Sequence, residues 1–193
     1  TELPIALHDL LTIAILCNDA VVRLEKNIWT ITGDPTEAAL VAAAEKADLR
    51  SHDLRSRHVR LDVIPFESES KFMATLHHDH SGHGFIYLKG APERVLAMCS
   101  LQRIDGEDIP LHVTPWQQMM EEIAGRGQRL LAIAFKTVAA TPKQISFTDV
   151  ETGLTLLGIV GMIDPPRPEA VKAVLKCQNA GIRVKMITGD HAA

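Results

Sequence analysis

Between Val59 and Gly90 the chain carries three strand-like segments in quick succession, VRLDVIPF, FMATLHHD and GFIYLKG, the last two joined by the polar turn HSGH. So short a connection suits antiparallel neighbours. The rest of the chain up to Gly153 fits the same plan. LHDLLTIAILC places apolar residues at helical spacing, and VVRLE and IWTIT flank a hairpin turn at Lys26 and Asn27. PTEAALVAAAEKA reads as a strong helix, with Pro35 in its first turn, Glu37 at its positive end and alanines along its body. APERVLAMC reads as a short helix and RIDGEDIPL as a tight hairpin through Asp105 and Gly106. TPWQQMMEEIAGRG predicts a helix with Thr114 as N-cap and Pro115 at its first position, and RLLAIAFKTV an apolar strand.

After a polar stretch ending at Gly153 the pattern changes. LTLLGIVGMID, RPEAVKAVLKCQNAG and IRVKMITGD read as strand, helix and strand, both strands apolar enough to be buried on two faces, which is a β-α-β unit. The expected fold class is therefore α+β: a mostly antiparallel sheet flanked by helices over residues 1–153, then a C-terminal β-α-β strip of a parallel sheet over 154–193. The tetrapeptide ITGD occurs at Ile31 and again at Ile187, but its flanks differ, so the chain has no internal repeat here.

Composition narrows the function classes. Hydrophobic residues make up 46% of the 193, enough for a sizeable core. A net charge of -4 argues against a nucleic-acid binder with a broad basic face, so no nucleic-acid partner is expected. Cys17, Cys99 and Cys177 are far apart and form no C-x-x-C, which suggests neither a disulfide framework nor a thiolate zinc site and fits a reducing compartment. The longest apolar stretches, LLTIAILC and LTLLGIVGMI, fall short of the roughly 20 residues that span a bilayer. No signal peptide is visible, and the chain is expected to be a piece of a longer protein.

No G-x-x-x-x-G-K-[ST] loop is present, and GRGQRL at Gly125 lacks the third glycine of a dinucleotide fingerprint. HHDHSGH, from His77 to His83, is read as a solvated polar turn rather than a metal site, because no carboxylate or cysteine completes a zinc pattern. A more productive set is scattered along the chain. A nucleoside phosphate asks for an aromatic face for its base, an acceptor for the adenine amino group and a few cations for its phosphates. Phe66, Glu37, Lys71, Lys89 and Arg129 supply those groups, with Gly90 permitting close backbone approach.

The segments GDPTEAAL, PFESESKFM, YLKGAPERV, GMIDPPRPE and MITGDH, in this order, closely resemble the cytoplasmic part of P-type cation-transporting ATPases, in particular the type II branch that contains the calcium pumps. The resemblance covers essentially the whole chain. It implies a nucleotide-binding domain carrying a strip of the phosphorylation domain, whose fold is of the haloacid dehalogenase type. It implies ATP as ligand, with Mg2+ in the full-length pump. Glu37 then resembles the acidic residue that meets the adenine amino group, and Phe66 the residue that stacks on the base. Lys71, Lys89, Gly90 and Ala91 would line the pocket, Arg129 would approach the phosphates and Leu131 the base. Asp164 and Arg167 would lie at the domain junction, and Thr188, Gly189 and Asp190 on the phosphate side. Ser68 stands where related calcium pumps often carry an arginine, which puts a phosphate contact there in doubt. The family's Asp-Lys-Thr-Gly-Thr nucleophile motif is not in this sequence, so no catalytic residue is assigned, and the chain is expected to bind ATP without turning it over. Its expected partners are the remaining phosphorylation, actuator and transmembrane domains of one pump, which would make it a cytoplasmic domain of an integral membrane protein. Two other readings stand beside this one: a soluble haloacid-dehalogenase-type phosphatase, and a His-rich metal-binding module.

Overall fold

The computed structural model describes residues 3–25, 28–79, 81–138, 142–164 and 166–185. Helix α1 (Ile5–Leu16) leads into a two-stranded antiparallel ribbon of β1 (Val21–Glu25) and β2 (Ile28–Thr32). The turn expected between them, at Lys26 and Asn27, lies outside the described residues. Helix α2 (Pro35–Lys46) begins as its sequence demands: the Asp34 side chain accepts from the backbone N–H groups of Thr36 and Glu37, and Pro35 occupies the first turn. A short helix α3 (Ser51–Arg57) follows.

A seven-stranded sheet forms the body of the domain, in the order β3-β4-β5-β8-β9-β6-β7. Its strands are β3 (Val59–Ile64), β4 (Phe72–His78), β5 (Gly84–Gly90), β6 (Cys99–Ile104), β7 (Glu107–Pro110), β8 (Arg129–Val138) and β9 (Leu154–Met162). Among the described residues every pairing in it is antiparallel except that of β6 with β9. Among the described residues the remaining elements are helices α4 (Pro92–Met98), α5 (Val113–Gly125), α6 (Phe147–Val150) and α7 (Pro168–Asn179). The architecture is α+β with a mostly antiparallel sheet flanked by helices, as expected.

Both faces of the sheet are covered, and strand alternation sorts the residues between them. Phe72, Ala74 and Leu76 of β4, Ile86 and Leu88 of β5, and Ala132 and Ala134 of β8 join Val95 and Met98 of α4, Met120 of α5 and Val150 of α6 in one core. Met73, Tyr87, Ile133 and Phe135 point the other way and meet Ile13, Ala14 and Leu16 of α1 and Leu40 of α2. At roughly 25 cal/mol per Å2 of apolar surface, full burial of side chains this size is worth about 1.5–3 kcal/mol each, so both layers of helix are needed to hold the central strands.

The structure differs from the sequence reading in several places. α5 starts at Val113 with His112 as N-cap and no side-chain cap bond, so Thr114 is not the cap. Its fixed point is instead Trp116, whose indole Nε1–H donates to the buried Gln102 Oε1 at 2.7 Å. The polar stretch before Gly153 contains α6, closed by a capping box between Ser146 and Asp149. β9 is a strand as expected, but it lies in the main sheet, antiparallel to β8 and parallel to β6. The strand expected to follow α7 begins in irregular backbone over 182–185, and its remainder lies outside the described residues.

Candidate functional site at one end of the sheet

The topology gathers most of the expected residues at one end of the sheet. β3, β5 and β9 end there, while β4 and β8 begin there, since Phe72 pairs with Gly90, Gly90 with Ala132, and Arg129 with Met162. Phe66 and Ser68 therefore follow the end of β3, Lys71 precedes β4, Lys89, Gly90 and Ala91 close β5, Arg129 and Leu131 open β8, and Asp164 follows β9.

Glu37 and Lys89 make the central contact. Lys89 Nζ donates to Glu37 Oε1 at 2.5 Å, and the two side chains retain only 7% and 17% of their exposure. The other carboxylate oxygen, Oε2, accepts from the backbone N–H of Asp19 at 3.2 Å. Helix α2 is held in place to make this pair. The buried Asn18 donates from Nδ2 to the carbonyls of Ala14 at 3.0 Å and Glu37 at 2.9 Å, and its Oδ1 accepts from Ala20 N. Asn18 thus ties the end of α1 to the start of α2, and Asp19 reaches Glu37 directly. Sequence reasoning missed both; the only signal was the Asn-Asp pair that ends α1.

The loop carrying Phe66 is pinned by its backbone. Lys71 sits at φ 60°, in the left-handed region, where it donates its N–H to Glu67 O at 2.8 Å and accepts from Ala91 N at 2.9 Å. Gly90 makes that approach possible: a Cβ there would lie 2.5 Å from Lys71 O and 2.7 Å from Phe72 Cβ. The space at Gly90 is thus filled by the chain itself. Phe66 projects from this loop at 59% exposure, and Ser68 and the Lys71 side chain are exposed beside it. Leu131 packs half-buried against the α1 side of the sheet. Arg129 is exposed at the start of β8, and Asp164 and Arg167 are exposed beyond β9. Thr188, Gly189 and Asp190 lie outside the described residues.

The His-rich segment is not uniformly solvated. His77 is only 2% exposed, facing α1, with Nδ1 at 3.2 Å from the His58 carbonyl. Burial, partly offset by that carbonyl, pushes its pKa down to about 4, so the ring is neutral at pH 7. His78 and His83 do lie at the turn; Asp79 Oδ2 meets His83 Nδ1 at 3.0 Å. That contact, with the N–H groups of His83 and Ser81, lowers the Asp79 pKa. His80 lies outside the described residues.

Residues 6–169 match the family model of the P-type ATPase cytoplasmic domain N. The chain is 47% identical over 190 residues to Cation-transporting ATPase pma1 of Synechocystis sp., covering 98% of this chain and 21% of that protein. It is 36% identical over 185 residues to the calcium-transporting ATPase lmo0841 of Listeria monocytogenes (94% of this chain, 20% of that protein). With the sodium/potassium-transporting ATPase alpha subunit of Hydra vulgaris it shares 34% over 200 residues (95% and 19%). The chain thus spans about a fifth of the length of these curated relatives.

Proposed function

Since the chain belongs to the P-type ATPases, we propose that it is the nucleotide-holding part of a cation pump, binding ATP by its adenosine end and presenting the terminal phosphate to an aspartate elsewhere in the longer protein. The convergence of Glu37, Phe66, Lys71, Lys89 and Leu131 on one end of the sheet carries this reading. Phe66, exposed on a pinned loop, offers its face to the base. A carboxylate has about four acceptor sites, so Glu37 can serve Lys89, Asp19 and an adenine amino group together. Lys89, already matched by Glu37, belongs to the base end. Lys71 and Arg129, both exposed at this end of the sheet, are assigned to the phosphates. Gly90 and Ala91 serve through their backbone, holding the Phe66 loop against β5.

No Asp-Lys-Thr-Gly-Thr motif occurs in the sequence. Covalent phosphoryl transfer needs such a nucleophile, and positioning does not replace it, so the chain alone binds ATP without sustained turnover. Magnesium, which neutralises phosphate charge in such reactions, and the terminal phosphate are assigned to the rest of the pump, together with the actuator and transmembrane domains that would place this domain on the cytoplasmic side. We draw the division between the nucleotide domain and the phosphorylation strip after β9, a reading supported by the pairing of that strand on both sides.

The test is a titration series. Phe66→Ala should weaken ATP binding by about tenfold, since stacking on a base is worth about 1–3 kcal/mol. Its stability should move by less than about 0.5 kcal/mol, as for most exposed positions. ATP and ADP should bind within about tenfold of each other, and GTP more weakly, because guanine would turn a carbonyl toward Glu37. Unchanged ATP affinity in a folded Phe66→Ala chain, or strict dependence on magnesium, would overturn the assignment.

A further inference from the structure

Both oxygens of the Glu37 carboxylate are already engaged, Oε1 by Lys89 Nζ and Oε2 by the backbone N–H of Asp19 at 3.2 Å. Asp19 is exposed, so Oε2 is the oxygen on the solvent side of the pair. A carboxylate on its own does not choose adenine. It only accepts, and guanine also offers donors on its pairing edge, at N1 and at the 2-amino group. A carboxylate free to swing can meet those as readily as it meets the 6-amino group of adenine. Preference for adenine therefore requires that Glu37 be held where only the substituent at position 6 reaches it.

The chain holds it through a clamp on residues 18–20. Asn18 is 3% exposed; its Nδ2 donates to Ala14 O at 3.0 Å and to Glu37 O at 2.9 Å, and its Oδ1 accepts from Ala20 N at 2.8 Å. That last bond closes an Asx turn over Asp19 and so fixes the peptide whose N–H meets Glu37. Arg55 of α3 grips the same segment by its carbonyls, Nη2 donating to Asn18 O at 3.2 Å and to Ala20 O at 3.0 Å. Gly33, at φ 106°, lets the start of α2 close on it: a Cβ there would stand 3.0 Å from Ala20 Cα. The Asp19 side chain is engaged elsewhere, by Arg60 Nη2 at 2.7 Å, so it is the backbone of Asp19 that bonds the carboxylate.

We propose that Asn18 and Arg55 are positioning residues for base selection: by fixing the Asp19 N–H against Glu37 Oε2, they hold the carboxylate in the orientation that accepts from the 6-amino group of adenine and meets the 6-carbonyl of guanine. This role rests on the nucleotide reading of the site and adds the residues that make it selective. Neither residue is assigned a contact with the nucleotide; both act through the Asp19 peptide.

The ratio of ATP to GTP affinity, measured by calorimetry on the native chain and on folded variants, tests the role, because general loosening weakens both nucleotides alike and leaves the ratio unmoved. The native chain should prefer ATP by about tenfold, the worth of one hydrogen bond to a charged group. Asn18→Ala should bring the ratio to within about twofold. Arg55→Gln, at a half-buried position that leaves the Asn18 bonds in place, should lower it in the same direction. Val150→Ala, in the core on the opposite face of the sheet, costs stability without touching the clamp and should keep the native ratio. In isotope-labelled native chain the Asp19 amide should shift with ATP at the same midpoint as the Phe66 loop. A native ratio kept by both Asn18→Ala and Arg55→Gln overturns the positioning role. So does an equal loss of the ratio in Val150→Ala, or an Asp19 amide that ATP leaves unmoved while the Phe66 loop responds. Failure of the nucleotide reading looks different: ATP then moves neither Asp19 nor the Phe66 loop, and Phe66→Ala changes no affinity.

Discussion

Lys89, the penultimate residue of a central strand, and Glu37, in the first turn of a helix 52 residues earlier, form an ion pair at 2.5 Å that is largely withdrawn from water. Removing one partner of such a pair leaves a charge buried alone, at a cost of about 3 kcal/mol or more, whereas replacing both by apolar groups is often near neutral. Glu37→Leu should therefore destabilise the chain strongly. The double variant with Lys89→Met should be more stable than Glu37→Leu alone, because it leaves no lysine charge buried without its partner, while the Asp19 N–H loses its acceptor equally in both. A double-mutant cycle by urea unfolding measures this; effects additive within about 0.5 kcal/mol would show that the pair does not couple. Loss of ATP affinity in both variants, with stability recovered only in the double, would support the recognition role proposed for the pair.

Gly90→Ala should act at a distance from its own small volume. The added methyl would sit 2.5 Å from Lys71 O, a backbone atom that cannot swing aside. Overpacking of this kind costs about 1–3 kcal/mol. It should also loosen the bond from Ala91 N to Lys71 O and, with it, the loop that presents Phe66. Gly125→Ala is the control: nothing lies within 4 Å of its missing Cβ, and it ends a helix, so it should be neutral or slightly stabilising. Equal melting temperatures for the two variants would contradict the close-approach account.

The buried imidazole predicts a pH dependence. The folded-state pKa of His77 lies near 4 against an ordinary 6.5, chiefly through burial. The unfolded chain thus takes up this proton from about pH 6.5 downward and the folded chain only near pH 4. Stability present above pH 6.5 is lost as pH falls through that window, by about 3 kcal/mol. The exposed carboxyls of Asp79 and Asp149 are shifted below 3.8, so their contributions are lost at still lower pH. Urea midpoints between pH 7 and 4.5 should fall in the native chain and stay flatter in His77→Gln. Parallel curves would place the ring in water.

Most elements were legible because their signals are local. Asp34-Pro35 with a following alanine run writes its own helix, and Asp105-Gly106 its own hairpin. Elements without a local signature were missed: α3, SHDLRSR, has no apolar stripe, and α6 is only four residues long. The neighbours of β9 were not legible, since an apolar run buried on both faces reads the same in a parallel or an antiparallel setting. The candidate site shows the same divide. Residue types for a nucleotide were visible one by one, and order along the chain suggested a family. The pairing of Lys89 with Glu37 and the burial of His77 under α1 depend on tertiary packing between segments far apart in sequence.

The last prediction concerns where the folded unit ends. Helix α7 has no buried residue, although it is amphipathic: Val171, Val174 and Leu175, at i, i+3 and i+4, stay 44%, 37% and 52% exposed. An isolated helix of 12 residues is marginal in water, since propagation barely repays nucleation. Its amides should exchange far faster than those of β5 or β8. Ending the chain after Asp164 should then leave the urea midpoint and the m-value of the sheet domain nearly unchanged. Ending it after Gly153 should abolish cooperative unfolding, because it removes β9 from between β8 and β6 and exposes Leu154, Leu156 and Leu157 of two cores. If the longer truncation product also lost cooperativity, α7 would be part of the folded unit and the division would have to be drawn later in the chain.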